Sequence, residues 1–160
     1  MKKLLFYPEK CTGCAICMVA CVTNHADKNL LDFRTSRIRV QVDKQRVLQV
    51  VNVCVQCEEA YCILACPEGA LSRDEVLGFI KVNKDLCRSC GSCVEACPYK
   101  GIILSHTDIK PIICDLCYGD PQCVKWCPFN ALEYLDVNEE TISSVKIARE
   151  KMINLIKEIK

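Results

Sequence analysis

The sequence lacks long apolar runs. No stretch approaches the roughly 20 apolar residues of a membrane span, so no transmembrane helix is predicted. The apolar stretch Leu4 to Tyr7 is too short for the core of a signal peptide, and Pro8 and Glu9 follow it directly. The sequence also contains no twin-arginine signal. We therefore expect a chain located in the cytoplasm.

Glycine is scarce, and the loops that bind nucleotides are absent. The chain has six glycines and no G-x-G-x-x-G or G-x-x-x-x-G-K-[ST] run, so no nucleotide or flavin loop is predicted and the chain is not expected to be an enzyme itself. No lysine- and arginine-rich run is interleaved with aromatics, which argues against nucleic acid as a partner. The two histidines, His25 and His106, are predicted to lie at the surface. Lysines 2, 3, 157 and 160 are interpreted as solvated chain ends.

Cysteine, in contrast, is abundant, with 16 residues in 160. That fraction is typical of a disulfide scaffold or of a metal protein. Since cytosolic thiols stay reduced, clustered cysteines there more often bind metal than pair. The formal charge of +1 is then misleading. Sixteen ligating thiolates, offset by four inorganic cores of about +2 each, would give a net charge of about −7.

The cysteines form an internal repeat of four groups, and none lies outside them. The groups are Cys11, Cys14, Cys17 and Cys21; Cys54, Cys57, Cys62 and Cys66; Cys87, Cys90, Cys93 and Cys97; and Cys114, Cys117, Cys123 and Cys127.

The third group, CRSCGSCVEACPYK, shows what this spacing can do. Three thiolates within seven residues can wrap one small cluster, and Gly13 and Gly91 allow the backbone to approach it closely. Backbone N–H groups can then point at sulfur. The proline after the fourth cysteine disfavours helix there, so the fourth thiolate can face a second cluster, as in bacterial ferredoxins. The zinc alternative fits less well, because zinc sites usually use two separated C-x-x-C pairs or histidine.

Two groups are stretched and one lacks the proline. The second and fourth groups have four and five residues between their second and third cysteines. The first group has Val22 where the others have Pro67, Pro98 and Pro128. We expect a helix that continues a little past Cys21 rather than a lost ligand. The aromatic residues beside the groups are predicted to cover the sites: Tyr61, Tyr99, Trp126 and Phe129.

Between the groups the chain is predicted to form short strands. RIRVQV and RVLQVVNV, which flank residues 43–45, indicate a hairpin. Further short strands are predicted at 78–82, 102–104, 109–113 and 131–134. Because these strands are short, we expect the metal sites to form the core and the metal-free chain not to fold.

The C-terminal tail has a different pattern. From Glu139 to Lys160 the apolar residues fall at three- and four-residue steps, which predicts an amphipathic helix. The residues of this stripe are Val145, Ala148, Met152, Leu155 and Ile159. The helix could pack on its own chain or dock on a partner subunit, and the pattern leaves both open.

From about Lys10 to Leu135, and most closely in KPIICDLCYGDPQCVKWCPFNAL, the chain resembles a known family. This family comprises the four-cluster, ferredoxin-like electron-transfer subunits of multisubunit oxidoreductases. The resemblance implies four [4Fe–4S] clusters with all sixteen cysteines as iron ligands. Their ligands would be Cys11, Cys14, Cys17 and Cys127; Cys114, Cys117, Cys123 and Cys21; Cys54, Cys57, Cys62 and Cys97; and Cys87, Cys90, Cys93 and Cys66. Spacing alone also allows a tandem pairing of the first group with the second and the third with the fourth.

The resemblance implies an α+β fold of two nested bacterial-ferredoxin-like units, with short hairpins and short helices around the clusters. The outer unit is expected at 1–35 and 105–137, the hairpin and inner unit at 36–104, and the C-terminal helix at 138–160.

The implied function is electron transfer between a catalytic subunit and ferredoxin or another redox subunit. The short loops are most similar to the small partners of tungsten-dependent aldehyde oxidoreductases, so a tungsten or molybdenum pterin enzyme of anaerobic metabolism is the expected partner. The alternatives are a free-standing polyferredoxin, or the iron–sulfur subunit of a hydrogenase, carbon monoxide dehydrogenase or formate dehydrogenase.

Overall fold

A computed structural model describes residues 2–26, 31–45 and 48–159. Within these ranges the chain forms four two-stranded antiparallel sheets and five helices, which confirms the predicted α+β class. The strands are β1 (Lys2–Phe6), β2 (Ile38–Asp43), β3 (Leu48–Val53), β4 (Leu71–Arg73), β5 (Ile80–Val82), β6 (Ile102–Leu104), β7 (Pro111–Ile113) and β8 (Leu132–Asp136). The helices are α1 (Ile16–Asn24), α2 (Tyr61–Leu64), α3 (Ser92–Glu95), α4 (Gln122–Lys125) and α5 (Ile142–Glu158).

The first and last strands pair with each other. Lys2 of β1 lies opposite Asp136 of β8, and Phe6 lies opposite Leu132. The sequence pattern did not predict β1, because its last four residues are all buried instead of alternating between core and solvent. This pairing brings the two ends of the cysteine-rich region together, and α1 contacts α4 beside it.

The predicted hairpin at 38–53 is confirmed. Ile38 of β2 pairs with Val53 of β3, and Asp43 pairs with Leu48. The first two residues of the predicted second strand, 46 and 47, lie outside the described residues. The second half of β3 is buried on both faces, since α5 packs against it.

Two shorter hairpins follow the second and third cysteine groups. Strand β4 pairs with β5, and β6 pairs with β7. Strands β5 to β8 confirm the predicted short strands, whereas β4 was not predicted. Strand β4 reads Leu-Ser-Arg, and a single apolar residue gives no strand signal.

The predicted C-terminal helix is confirmed as α5, which packs on strands β1 and β3 of its own chain. Its buried face consists of Val145, Ala148, Met152 and Ile156. Just before the helix, Asn138 and Thr141 bond to each other reciprocally: the Asn138 N–H donates to Thr141 Oγ1, and the Thr141 N–H donates to Asn138 Oδ1, both at 2.9 Å. No helix in the described ranges combines the length and apolar character needed to cross a bilayer.

Candidate metal centres

The first cysteine of each group is followed by a left-handed turn that directs an N–H group at its sulfur. The residue two positions later has positive φ in all four groups: Gly13 (71°), Gln56 (51°), Ser89 (58°) and Leu116 (57°). The N–H groups of Gly13, Ser89 and Leu116 each lie 3.4 Å from the preceding Cys Sγ. Three of the four residues are not glycine, so the turn does not depend on the freedom that glycine provides.

The fourth cysteine has its own turn in three of the groups. Gly69, Lys100 and Asn130, each three positions after this cysteine, have positive φ. The N–H groups that follow, from Ala70, Gly101 and Ala131, donate to the Sγ atoms of Cys66, Cys97 and Cys127 at 3.3, 3.4 and 3.3 Å.

The first group differs as predicted, because α1 continues past Cys21 to Asn24. Without the proline, the chain makes no such turn. The Sγ of Cys21 instead accepts a hydrogen bond of 3.3 Å from the N–H of Arg37, 16 residues later.

Three sets of four cysteines each line one cavity. We call these site A (Cys11, Cys14, Cys17 and Cys127), site B (Cys21, Cys114, Cys117 and Cys123) and site D (Cys66, Cys87, Cys90 and Cys93). In each case, cysteines from two different groups meet.

The remaining four cysteines form a fourth set, site C (Cys54, Cys57, Cys62 and Cys97). Burial raises the pKa values of the Cys54, Cys57 and Cys62 thiols, and the nearby charge of Cys97 raises each of them further. Cys97 is therefore the one cysteine from outside the second group whose charge acts on all three of these thiols, although Cys114 acts more strongly on Cys54.

Burial makes most of these thiols poor acids. It raises the pKa of Cys17 and of Cys114 to about 12 and that of Cys62 to about 11. Such thiols stay protonated at neutral pH unless a metal displaces the proton. Cys14 of site A and Cys90 of site D are the two cysteines that are exposed. The Ser92 hydroxyl, 3.3 Å from the Cys90 sulfur, lowers the pKa of that thiol.

The sites follow one another in the order A, B, C, D. Cys17 of site A and Cys21 of site B lie on one helix. Sites B and C are joined by Gln56, which follows Cys54 by two residues and donates from Nε2 to the carbonyl oxygen of Cys114 at 2.7 Å. Helices α2 and α3, which carry Cys62 and Cys93, contact each other between sites C and D. The two exposed cysteines therefore belong to the two ends of the series.

Site B is bordered by an ionic network that the sequence did not predict. His25 Nδ1 lies 2.8 Å from the carbonyl oxygen of Cys21, and His25 Nε2 lies 3.1 Å from Asp115. Arg37 Nη1 donates to the same carboxylate at 3.0 Å. The predicted surface position of His25 is wrong, since its side chain is 14% exposed. His106 has a more exposed side chain, which pairs with Asp32 at 3.3 Å.

Site C is bordered by cations. Lys3 was predicted to be a solvated chain end, but it is 2% exposed and its Nζ donates to the carbonyl oxygen of Gln56. Arg149 of α5 donates to the carbonyl oxygen of Val55 at 2.9 Å. Arg73 of β4 donates to the carbonyl oxygen of Cys57. All three cations therefore bind the loop that carries Cys54 and Cys57.

Of the four aromatic residues predicted to cover the cysteine sites, two are largely shielded or line a site and two are not. Phe129 lines the cavity of site A, and Tyr99 is buried. Tyr61 and Trp126 are each 46% exposed, so about half of their surface is available to solvent.

Two family models match the chain. The model of the 4Fe-4S dicluster domain matches residues 45–137, and that of the 4Fe-4S binding domain matches residues 8–24. The chain is 40% identical, over 74% of its length and 67% of the relative's, to the polyferredoxin-like subunit of an aliphatic sulfonate oxidoreductase from Pyrococcus furiosus. It is 34% identical, over 88% of its length and 92% of the relative's, to the electron transport protein HydN of Escherichia coli.

The fold is also similar to that of a solved structure, the active site complex BamBC of benzoyl coenzyme A reductase with benzoyl-CoA. The TM-score is 0.54 at 28% sequence identity, and the match covers 96% of this chain and 89% of the other.

Proposed function

The chain belongs to the 4Fe-4S dicluster domain family and is an iron–sulfur electron-transfer protein, and we propose that it conducts electrons through four [4Fe–4S] clusters, one at each of sites A to D. A bound cluster supplies reversible one-electron chemistry. The observation that carries the proposal is the grouping of all sixteen thiols into four sets of four. Four cysteines are the ligand set of such a cluster, and N–H groups directed at sulfur help to set its potential.

The same observation supports the nested arrangement of two ferredoxin-like units. Cysteines of the first and fourth groups line sites A and B, while those of the second and third groups meet at sites C and D. The β1–β8 pairing ties 1–35 to 105–137, as an outer unit around 36–104 requires. In the tandem alternative Cys97 would serve the fourth group, yet its charge acts on all three thiols of the second group.

We propose that electrons enter and leave at the two ends of the series. Cys14 and Cys90 are the exposed cysteines, and they belong to sites A and D. At these sites a partner's redox centre could approach a cluster closely. Sites B and C lie between them and would relay the electron.

The proposed partners are a catalytic oxidoreductase subunit at one end and ferredoxin or another redox subunit at the other. The sulfonate oxidoreductase relative is named as a subunit of an enzyme, which supports a catalytic partner. A tungsten or molybdenum pterin enzyme, with a tungsten-dependent aldehyde oxidoreductase as the most specific form, rests on the family resemblance. A cytoplasmic location rests on the many cysteines, which stay reduced there.

The test is elemental analysis of the protein purified without oxygen from its native host, together with any bound polypeptide. About four irons per site, with tungsten or molybdenum in the same peak, would support the proposal. Nickel would indicate a hydrogenase or carbon monoxide dehydrogenase instead. Iron without a second polypeptide would indicate a free polyferredoxin, and zinc in place of iron would overturn the cluster assignment.

The ligand sets are tested by cysteine-to-serine variants followed by EPR spectroscopy. In the nested arrangement Cys97→Ser alters the same cluster signal as Cys57→Ser. In the tandem arrangement it would alter the same signal as Cys117→Ser. The Cys97→Ser spectrum therefore distinguishes the two arrangements.

A further inference from the structure

We propose that Lys3, Arg73 and Arg149 form a cationic triad that raises the reduction potential at site C above those at sites A, B and D. The inference rests on the proposed cluster ligation at site C. It assigns a redox function to three residues outside the cysteine groups, and it gives the C-terminal helix a role beyond packing.

The triad assembles from three distant parts of the chain. Lys3 comes from β1, Arg73 from β4 and Arg149 from α5. Their side chains converge on the loop of site C, where they donate to the carbonyl oxygens of Gln56, Cys57 and Val55 respectively. Arg73 Nη1 also donates to the carbonyl oxygen of Gly78 at 2.7 Å, which fixes its orientation.

Among the residues that the structure describes, no carboxylate neutralises the charges of the triad. In the described part of the chain, no carboxylate oxygen lies within the 4.0 Å of an ion pair from Lys3, Arg73 or Arg149. Their partners are neutral carbonyl groups, and the Nε of Arg149 is buried without any hydrogen-bond partner. Glu58 is the carboxylate whose charge reaches Lys3, and it is exposed.

The electrostatic effects on these groups show that they are neighbours. Burial lowers the pKa of Lys3, and the positive charges of Arg149 and Arg73 lower it further. Burial raises the pKa of the Cys57 thiol, and the charges of Arg149 and Lys3 oppose that rise. The three cations therefore act on one another and on a ligand of site C.

Most cations near the other sites are paired with carboxylates, and Lys110 at site D, whose Nζ donates to the carbonyl oxygen of Cys87, is an exception. At site A, Lys10 lies 3.6 Å from Glu133; at site B, Arg37 lies 3.0 Å from Asp115; at site D, Arg88 lies 3.2 Å from Glu68. A neutralised pair exerts little net field on a neighbouring cluster. Among the described residues, site C is thus distinguished by three cations that donate to its loop without a carboxylate partner, where the loop of site D has one.

The buried positive charges of the triad are unfavourable for folding by themselves, but they complement the negative charge of a cluster with its thiolates. Burying a cation without an anion is unfavourable. Four thiolates around a cluster core carry net negative charge, which grows by one when an electron is added. The triad compensates this charge and favours the reduced form, and net charge is one of the factors that set cluster potentials. Site C would therefore hold an electron in preference to its neighbours.

The test uses the full-length protein with its clusters, titrated with reductant under EPR detection. Arg149→Gln removes one charge but keeps an N–H donor for Val55. In this variant the equilibrium constant for reduction of the highest-potential EPR component is expected to fall at least tenfold. For a one-electron couple, that is a decrease of about 59 mV in reduction potential, and the potentials of the other components should not change. Arg149→Lys, which keeps the charge, is expected to retain most of the potential. Lys151→Gln, on the same helix but exposed and near Glu9 at 3.8 Å, is the matched control and should shift nothing.

Cys57→Ser identifies the component that belongs to site C. The inference is overturned if Arg149→Gln keeps its full iron content and the reduction potential of the site C component does not change. It is also overturned if the highest-potential component belongs to another site. If Arg149→Gln loses iron, Arg73→Gln is judged by the same criterion. The proposed function fails separately, in the unmodified protein, if no iron–sulfur signal appears on reduction.

Discussion

The side-chain amide of Gln56 donates a hydrogen bond of 2.7 Å to the main-chain carbonyl oxygen of Cys114, 58 residues later in the chain. The same side chain accepts the Ile80 N–H at 3.0 Å through Oε1. Gln56 is 1% exposed. One buried amide thus holds the loops of sites B and C at a defined separation, and electron transfer between neighbouring centres requires such a fixed distance.

Replacing Gln56 should therefore destabilise the protein. Gln56→Ala leaves two buried main-chain groups without partners, at a cost of about 1–3 kcal/mol each. We expect a clearly lower midpoint for loss of cluster absorbance in guanidinium, measured without oxygen. Gln41→Ala, on the exposed part of β2, should change stability by no more than about 0.5 kcal/mol. Equal midpoints for both variants would contradict this account of Gln56.

Replacement by alanine should have different effects on iron binding at two glycines that follow the fourth cysteines of their groups. A Cβ on Gly101 would lie 2.6 Å from the carbonyl oxygen of Val53, and closer still to the main-chain nitrogen of Cys54. The strand end and the site C loop would have to move apart, so we expect Gly101→Ala to lose iron. Gly69 has φ +58° but no neighbour within 4 Å, so Gly69→Ala should cost only about 1 kcal/mol of strain. Iron per chain measures the difference, and comparable iron loss in both variants would show that close approach is not the cause.

Met152 should anchor α5 on its own chain. It is 1% exposed in the face that packs on β1 and β3. Met152→Ala is expected to cost about 2–5 kcal/mol, since the cavity it leaves closes only partly. Ile147 lies on the same helix but is 54% exposed, so Ile147→Ala should be nearly neutral. Anaerobic thermal unfolding compares the two, and a neutral Met152→Ala would argue against this packing.

Removal of iron should unfold the chain. Thiols of all four groups lie within the buried core, among them Cys17, Cys54, Cys93 and Cys123. The β4–β5 and β6–β7 hairpins have only three residue pairs each. After treatment with ferricyanide and a chelator, we expect the dispersed amide signals of the NMR spectrum to collapse. Rebuilding with iron and sulfide should restore them. Retained dispersion in the metal-free chain would show that the hairpins and α5 suffice for folding.

Local features of the fold were predictable where a signal spans several residues. The alternating segments around residues 43–45 indicated the β2–β3 hairpin, and Val22 in place of proline indicated that α1 passes Cys21. The apolar stripe of the tail indicated α5, although Ile156 is more deeply buried than the predicted Leu155. A spacing of three to four residues predicts the buried face of a helix with an uncertainty of one residue position. Which of two adjacent residues is buried depends on how the helix packs against the other elements.

The environment of Lys3 and His25 was not predictable in this way. Both were assigned to the surface because lysine and histidine most often lie there. Lys3 is buried because β1 pairs with β8 and is covered by α5. The side chain of His25 is largely covered because Asp115, 90 residues later, contacts its ring. Nothing in the neighbouring sequence signals partners so distant.

The chemistry of this protein is already visible in its sequence, which has sixteen cysteines in four closely spaced groups, a ferredoxin-like pattern, and a proline after the fourth cysteine of three groups. These properties depend on residues within a few positions of one another. The tertiary structure was needed to show that cysteines of the first and fourth groups line common cavities, that Cys14 and Cys90 are exposed, and that three cations converge on the loop of site C. Those relationships arise from long-range packing of β1, β8 and α5, because distance in space between remote segments follows from the whole core and not from local spacing.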